Sequence, residues 1–316
     1  MGTAIATLCA AHGFDVVLAD QNPAMLDSLP TRATPIAQAL AAGQGIPASD
    51  ILARITRTIS VADGVQGAAL VQEAIHEDLA AKQQLFSELD AICPPDVMLA
   101  TNTSSYLLSE ICADLPGRTR AIGIHYVAPA HLIRAVEIIT AEFTPASLIR
   151  QAQAFLQAID HTGIVCRESP GFLINRIQYA LKAEVQRMVE QRVASVEDID
   201  TAIRLAIGPR LALWGPMMQE DLSASKKTVV AVADYLHDRL DDPHFASTAI
   251  LRDMAERGHT GAMAGAGWYR WHADPATLVL ERDRQLAQLL AFLRTHENLQ
   301  ALGASGENPE LRKQER

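Results

Sequence analysis

Met1-Gly2-Thr3-Ala4-Ile5-Ala6-Thr7-Leu8-Cys9-Ala10-Ala11-His12-Gly13-Phe14-Asp15-Val16-Val17-Leu18-Ala19-Asp20 runs from a small-residue helix into a short apolar strand that closes on an acid. In a dinucleotide-binding fold this order is the helix after the glycine loop and then the second strand, whose terminal acid lies about 20 residues past the loop. Asp20 stands 18 residues after Gly2. A carboxylate there bonds the ribose hydroxyls and repels a 2′-phosphate, which favours NAD over its phosphorylated analogue. The alternative is that Asp20 is a turn residue ahead of the Asn22-Pro23 helix start. The first strand and first two glycines of the fold do not precede this helix. The expectation is therefore a native protein with roughly ten more residues ahead of Met1.

Outward from this segment, residues 15–20, 68–73, 97–100, 121–125, 135–139 and 163–167 read as strands. Several are apolar throughout, the mark of strands buried on both faces of a largely parallel sheet. Helical stretches alternate with them, so residues 1–168 read as an α/β domain. Asn22-Pro23, Thr144-Pro145 and Ser169-Pro170 each put a capping side chain before a proline at a helix start. Beyond Ser169 the period changes. Phe172, Leu173, Ile177, Leu181, Val185 and Met188 recur at helical spacing, and Ser195 to Asp198 forms a capping box. Residues 169–302 read as an all-helical domain, with further helices around 217–240, 247–257 and 276–294. The polar stretch 303–316 reads as a disordered tail.

The 316 residues suggest two domains, and 49 % hydrophobic content supports ample cores. The net charge of −10 argues against nucleic acid. Cys9, Cys93, Cys112 and Cys166 are scattered and form no metal-ligand spacing, so no metal is expected and the thiols read as reduced. No apolar run has the length of a membrane span, and the N-terminus lacks a basic signal-peptide region. The expected location is the cytoplasm.

The stretch from Met98 to Glu137 carries the chemistry. It contains Asn102-Thr103-Ser104-Ser105, then His125 closing one apolar strand, then Glu137 on the next. A hairpin centred on His131 sets residues 125 and 137 directly opposite on one face. A carboxylate at one imidazole nitrogen fixes the tautomer and leaves the other nitrogen to move a proton near neutral pH. A buried histidine satisfied by a structural acid is the competing explanation.

Four segments together resemble the 3-hydroxyacyl-CoA dehydrogenase family, including its relatives acting on free 3-hydroxy acids such as L-carnitine and L-gulonate. They are Gln72 to Lys82, Asn102 to Ser105, His125-Tyr-Val-Ala-Pro129 through Glu137, and Ser169-Pro-Gly-Phe-Leu-Ile-Asn175-Arg176. The Gly261 to Trp271 segment resembles the family's closing glycine-rich motif.

The resemblance implies a Rossmann-like domain, a helical substrate and dimerisation domain, NAD as cofactor and a homodimer in fatty acid metabolism. It further implies His125 as proton acceptor from the substrate 3-hydroxyl and Glu137 as its partner, with Ser104 and Asn175 holding substrate oxygens. Glu77, Lys82 and Asn102 would line the nicotinamide-ribose side, and Gly2 and Asp20 the pyrophosphate and adenosine side. Two positions depart from the family. Ala128 replaces the asparagine of His-x-x-Asn-Pro, and Met263 stands where many relatives carry lysine. The expected substrate is a 3-hydroxyacyl-CoA, with a free 3-hydroxy acid second. The rival from another class is a non-catalytic dimer on the same fold.

Overall fold

The computed structural model of the chain describes residues 1–295; the expected tail over 303–316 lies outside the described residues. The chain divides into two compact units, Met1–Ala183 and the part from Glu184 onward.

The first unit is α/β. Strands β1 (Val16–Ala19) and β2 (Ile55–Thr58) form a parallel pair. Strands β3 (Leu70–Glu73), β4 (Met98–Thr101), β5 (Ala121–Tyr126), β6 (Ala135–Thr140) and β7 (Thr162–Arg167) form a second sheet in chain order. In that sheet only the β5–β6 pairing is antiparallel. Among the described residues, the remaining edges of β1 and β3 have no strand neighbour. Strand β2 went unseen in the sequence because Ile-Thr-Arg-Thr has one apolar residue and two exposed positions, too little for a periodic signal.

Apolar residues on both sides of each central strand bury both faces of the larger sheet. Met98 and Ala100 of β4, with Ile122, Ile124 and Tyr126 of β5, join one core cluster beneath the Ala146–Ala158 helix, which contributes Leu148, Ala152 and Leu156. Leu99 and Ala121 point to the opposite cluster, with Phe86 and Leu89 of the Leu79–Ile92 helix and Leu108 and Ile111 of a short one. Each fully buried Leu, Ile or Phe contributes about 1.5–3 kcal/mol. Gly123 is required in β5, since a Cβ there would lie 2.7 Å from that of Ile139, its cross-strand partner.

Two of the three proline-marked helix starts shift. Asn22 caps the Pro23–Asp27 helix as its sequence suggests, accepting from the Ala24 N–H. The Thr144 hydroxyl instead accepts from the Ala141 N–H, and the helix begins at Ala146. After Ser169-Pro170 the helix begins only at Ile174, because Gly171 (φ 75°) and Phe172 (φ 48°) adopt left-handed backbone and form a separate turn.

In the second unit the described elements are helices and two isolated bridges at Gly261, Ala266 and Arg270. The expected helix over 217–240 is two helices, Gly208–Ser223 and Lys226–Leu240, separated by extended Ala224. The first of them is kinked at Gly215 (φ 69°) before Pro216. Asp221 and Lys226 pair at 2.5 Å with both side chains buried. Asp221 also accepts the backbone N–H groups of Trp268 and Tyr269 and the Trp271 indole N–H. Burial pushes the Asp221 carboxyl up, but the bonds from Lys226, Trp271, Tyr269 and Trp268 outweigh it and hold it below its ordinary value. The glycine-rich segment is thereby tied to the helix pair. No described helix is long and apolar enough to cross a membrane.

Candidate active site

Strands β5 and β6 bring His125 and Glu137 into direct register, as a hairpin centred on His131 requires. Their side chains meet with His125 Nδ1 2.6 Å from Glu137 Oε2. Glu137 is fully buried and His125 nearly so. With Nδ1 donating to the carboxylate, Nε2 is the ring atom left to accept a proton.

The other carboxylate oxygen is held from a different element. Glu137 Oε1 accepts the backbone N–H groups of Leu173 and Ile174, both at 2.8 Å. The left-handed Gly171-Phe172 turn aims these groups at Glu137, and the Phe172 N–H closes the turn on the Ser169 carbonyl. At Gly171 a Cβ would stand 3.3 Å from the Arg176 backbone nitrogen, on backbone that side chains rarely adopt. Phe172 is buried with its ring centroid 6.1 Å from that of His125. Burial pushes the Glu137 carboxyl up, yet bonds from His125, Ile174 and Leu173 more than offset this, so it stays ionised below the usual carboxylate range.

A second network occupies the carboxyl ends of β3 and β4. Lys82 is buried and lies 2.8 Å from Glu73 Oε1 and 3.2 Å from Glu77 Oε2. Glu73 also accepts from the Thr101 hydroxyl at 2.5 Å and the Ile75 N–H at 2.7 Å. Glu77 accepts from the Thr103 hydroxyl and the Ser104 and Ser105 N–H groups. Burial raises the Glu77 carboxyl, but Thr103, Ser104 and the Lys82 charge hold it below its ordinary value. Asp78, which could have paired with Lys82 on a helix surface, instead caps the Leu79–Ile92 helix.

The remaining sequence-derived residues join these two networks unequally. Asn175 Nδ2 donates to the Ser104 carbonyl at 3.2 Å, tying the helix that holds Glu137 to the Asn102–Ser105 loop. Asn102 Oδ1 accepts the Tyr126 N–H at 2.9 Å, beside His125. The Ser104 hydroxyl is half-buried and lies 3.4 Å from Glu77 Oε1. Gly2 opens the Gly2–Ala11 helix beside Ala74, just past β3. Asp20 follows β1, and its Oδ1 accepts the Asn22 N–H at 2.9 Å, so it does form the turn ahead of the helix. Ala128 is exposed in the loop between β5 and β6. Met263 belongs to the second unit and is exposed. Among the described residues no group of three His, Cys, Asp or Glu could hold a metal ion.

Sequence reading missed Glu73, Thr101 and Thr103. An acid closing a strand after the apolar Leu70 and Val71, nine residues before a lysine, was the available signal for Glu73. The Leu173 and Ile174 amides had none, since a backbone N–H carries no residue identity.

Comparison with known proteins identifies the family. The sequence profile of the 3-hydroxyacyl-CoA dehydrogenase NAD binding domain matches residues 1–169, and that of the same enzyme's C-terminal domain matches residues 171–271. A Caenorhabditis elegans protein described as a probable 3-hydroxyacyl-CoA dehydrogenase is 31% identical over 86% of this chain and 92% of its own. The 5-formyl-3-hydroxy-2-methylpyridine 4-carboxylate 5-dehydrogenase of Mesorhizobium japonicum is 27% identical over 94% of this chain and 96% of its own. The crystal structure of a 3-hydroxyacyl-CoA dehydrogenase from Archaeoglobus fulgidus superposes with a TM-score of 0.76 at 27% identity, covering 93% of this chain and 95% of that one.

Proposed function

The chain belongs to the 3-hydroxyacyl-CoA dehydrogenase family and is an NAD-dependent oxidoreductase with a Rossmann-like domain, and from that premise we propose that it oxidises the 3-hydroxyl of an L-3-hydroxyacyl-CoA to the 3-ketoacyl-CoA. The observation that carries this reading is the His125–Glu137 pair, with both oxygens of the carboxylate fixed. His125 Nε2 takes the hydroxyl proton, and the ionised Glu137 stabilises the resulting imidazolium. Ser104 and Asn175 supply neutral donors to the substrate oxygens without competing for the proton.

The donor set fits NAD. One Asp20 oxygen is used by Asn22 and the other is left for a ribose diol, where its charge disfavours a 2′-phosphate. Gly2 lies at a helix start, and Glu77, Lys82 and Asn102 gather at the carboxyl ends of β3 and β4, the edge where such sheets bind nucleotides. NAD supplies the acceptor for the hydride leaving C3.

A free 3-hydroxy acid is the second reading. It is favoured by Ala128, which removes an amide from the catalytic loop, and by the similarity to a dehydrogenase acting on a pyridine carboxylate. The helical part is proposed to form a homodimer, because the Ile174–Glu190 helix buries none of its residues in the single chain and exposes Ile177, Tyr179 and Leu181. The direct test follows NADH formation from NAD with 3-hydroxybutyryl-CoA and with free 3-hydroxybutyrate. Turnover of the CoA ester supports the proposal, preference for the free acid favours the second reading, and turnover of neither refutes both.

A further inference from the structure

Glu73 closes β3, and its side chain is fully buried. Three donors from three segments converge on it. Lys82 of the Leu79–Ile92 helix lies 2.8 Å from Oε1, the Ile75 N–H donates to the same oxygen at 2.7 Å, and the Thr101 hydroxyl at the end of β4 donates to Oε2 at 2.5 Å. With both oxygens committed and no exposed surface, this carboxylate cannot touch a substrate. Whatever it does, it does through the groups it holds.

Those groups shape one turn. A hydroxyl that gives its proton to Glu73 can only accept elsewhere, and Thr101 Oγ1 accepts the Thr103 N–H at 3.1 Å. Lys82 lies on its other side 3.2 Å from Glu77 Oε2, which places the second carboxylate. Glu77 Oε1 in turn accepts the Thr103 hydroxyl, the Ser104 N–H and the Ser105 N–H at 2.6, 2.9 and 3.1 Å. The main-chain carbonyl of Glu73 accepts the Asn102 N–H at 2.9 Å. Every backbone N–H over 102–105 is therefore satisfied by Glu73 or by a group that Glu73 holds. This turn carries the Ser104 hydroxyl, and its Ser104 carbonyl accepts from Asn175.

We propose that Glu73 is a positioning residue, whose buried carboxylate orders the turn over 102–105 through Thr101 and Lys82 and so sets where the Ser104 hydroxyl stands. The consequence for turnover rests on the dehydrogenase reading; the shaping of the turn does not. The competing role is an ion pair that only packs the Leu79–Ile92 helix against the sheet. That role predicts a general loss of stability and no local one.

The test uses the full chain with Glu73→Gln, which keeps size and shape but offers one acceptor oxygen to three donors. With that oxygen on Lys82 and Ile75, the new NH₂ faces Thr101, whose hydroxyl proton loses its acceptor. Amide hydrogen exchange at Thr103, Ser104 and Ser105 should quicken about 10-fold, the low end for losing a hydrogen bond to a charged group, while the Ile122 and Ile138 amides of the sheet stay protected. Thr101→Val should reproduce the change at Thr103 and Thr101→Ser should not, and this pair decides the matter if Glu73→Gln fails to fold. Exchange that quickens equally across the sheet, or turn amides unchanged in the variants, would overturn the proposal. In the activity arm, kcat/KM for a 3-hydroxyacyl-CoA at saturating NAD should fall about 10-fold in Glu73→Gln, and adding Glu73→Gln to Ser104→Ala should lower it no further. Losses that multiply would show that Glu73 does not act through Ser104. If no 3-hydroxyacyl substrate turns over, the functional reading fails while the exchange pattern still decides the proposal.

Discussion

Replacing Glu137 by glutamine should disable His125 without removing it. Oε1 of the carboxylate accepts two backbone N–H groups and Oε2 faces His125 Nδ1. A glutamine has one oxygen and one NH₂. Its oxygen must stay on the Leu173 and Ile174 amides, because turning the NH₂ toward them would oppose donors to donors in a buried site. The NH₂ then faces Nδ1 and donates to it, so the ring proton moves to Nε2. That tautomer presents an N–H where the substrate hydroxyl needs an acceptor. The loss should approach that of removing a general base, about 10²–10⁴-fold in kcat. The losses from His125→Ala and Glu137→Gln should not multiply in the double variant. NAD affinity, measured by calorimetry, should stay within a few-fold, and ring ¹⁵N shifts should show the proton on Nε2. A Glu137→Gln enzyme retaining most of its kcat, or one whose ring proton remains on Nδ1, would refute the tautomer argument.

Asp20 should make NAD(H) bind more tightly than NADP(H), and Asp20→Ala should narrow the difference; equal calorimetric affinities in the wild type would contradict it. Asp221→Asn should destabilise the helical unit by about 1–3 kcal/mol, because Lys226 keeps only Glu220 as a carboxylate partner and the amide group faces N–H donors that the carboxylate accepted. The Asp221 carboxyl is held below its ordinary value, so this stability is present above the unfolded pKa of about 3.9 and lost as pH falls through the depressed one. Melting curves of wild type and variant should therefore converge only in strong acid. Light scattering should give a dimer mass, and Ile177→Glu with Leu181→Glu should shift it toward monomer; a monomeric wild type across micromolar dilution would rule out the homodimer.

The legible parts of this fold were those in which residue type and period coincide. Strands β4, β5 and β6 showed because both faces are buried and the runs are therefore largely apolar, with His125 and Glu137 standing out in β5 and β6. The His125–Glu137 register followed from counting alone, since side chains alternate along a strand and a short hairpin leaves little freedom. Strand β2 is stabilised by pairing with β1 rather than by its own composition, so nothing in Ile55 to Thr58 announces it. The Ile174 helix start was misplaced for a related reason. Ser169-Pro170 matches a helix-start pattern, but whether the helix begins there depends on Gly171 and Phe172 turning left-handed, and only Gly171 hints at that.

The same division runs through the site and explains its unequal visibility. The His125–Glu137 pair was readable because a proton-transferring imidazole with a carboxylate partner demands particular side chains, whereas Ser104 and Asn175 entered only through the family resemblance. What holds Glu137 is two backbone amides, and what ties the loop beyond His125 to the turn before β7 is the Thr162 N–H on the Arg134 carbonyl. Backbone groups are the same at every position, so their partners surface only once three-dimensional proximity is known. Glu73 is the intermediate case. Its buried carboxylate organises Lys82, Thr101 and the Ile75 amide, and its place at the end of a strand marked it as a candidate without saying which partners it has. Chemistry was thus legible at the reacting atoms and fades one layer outward, where residues act by holding others.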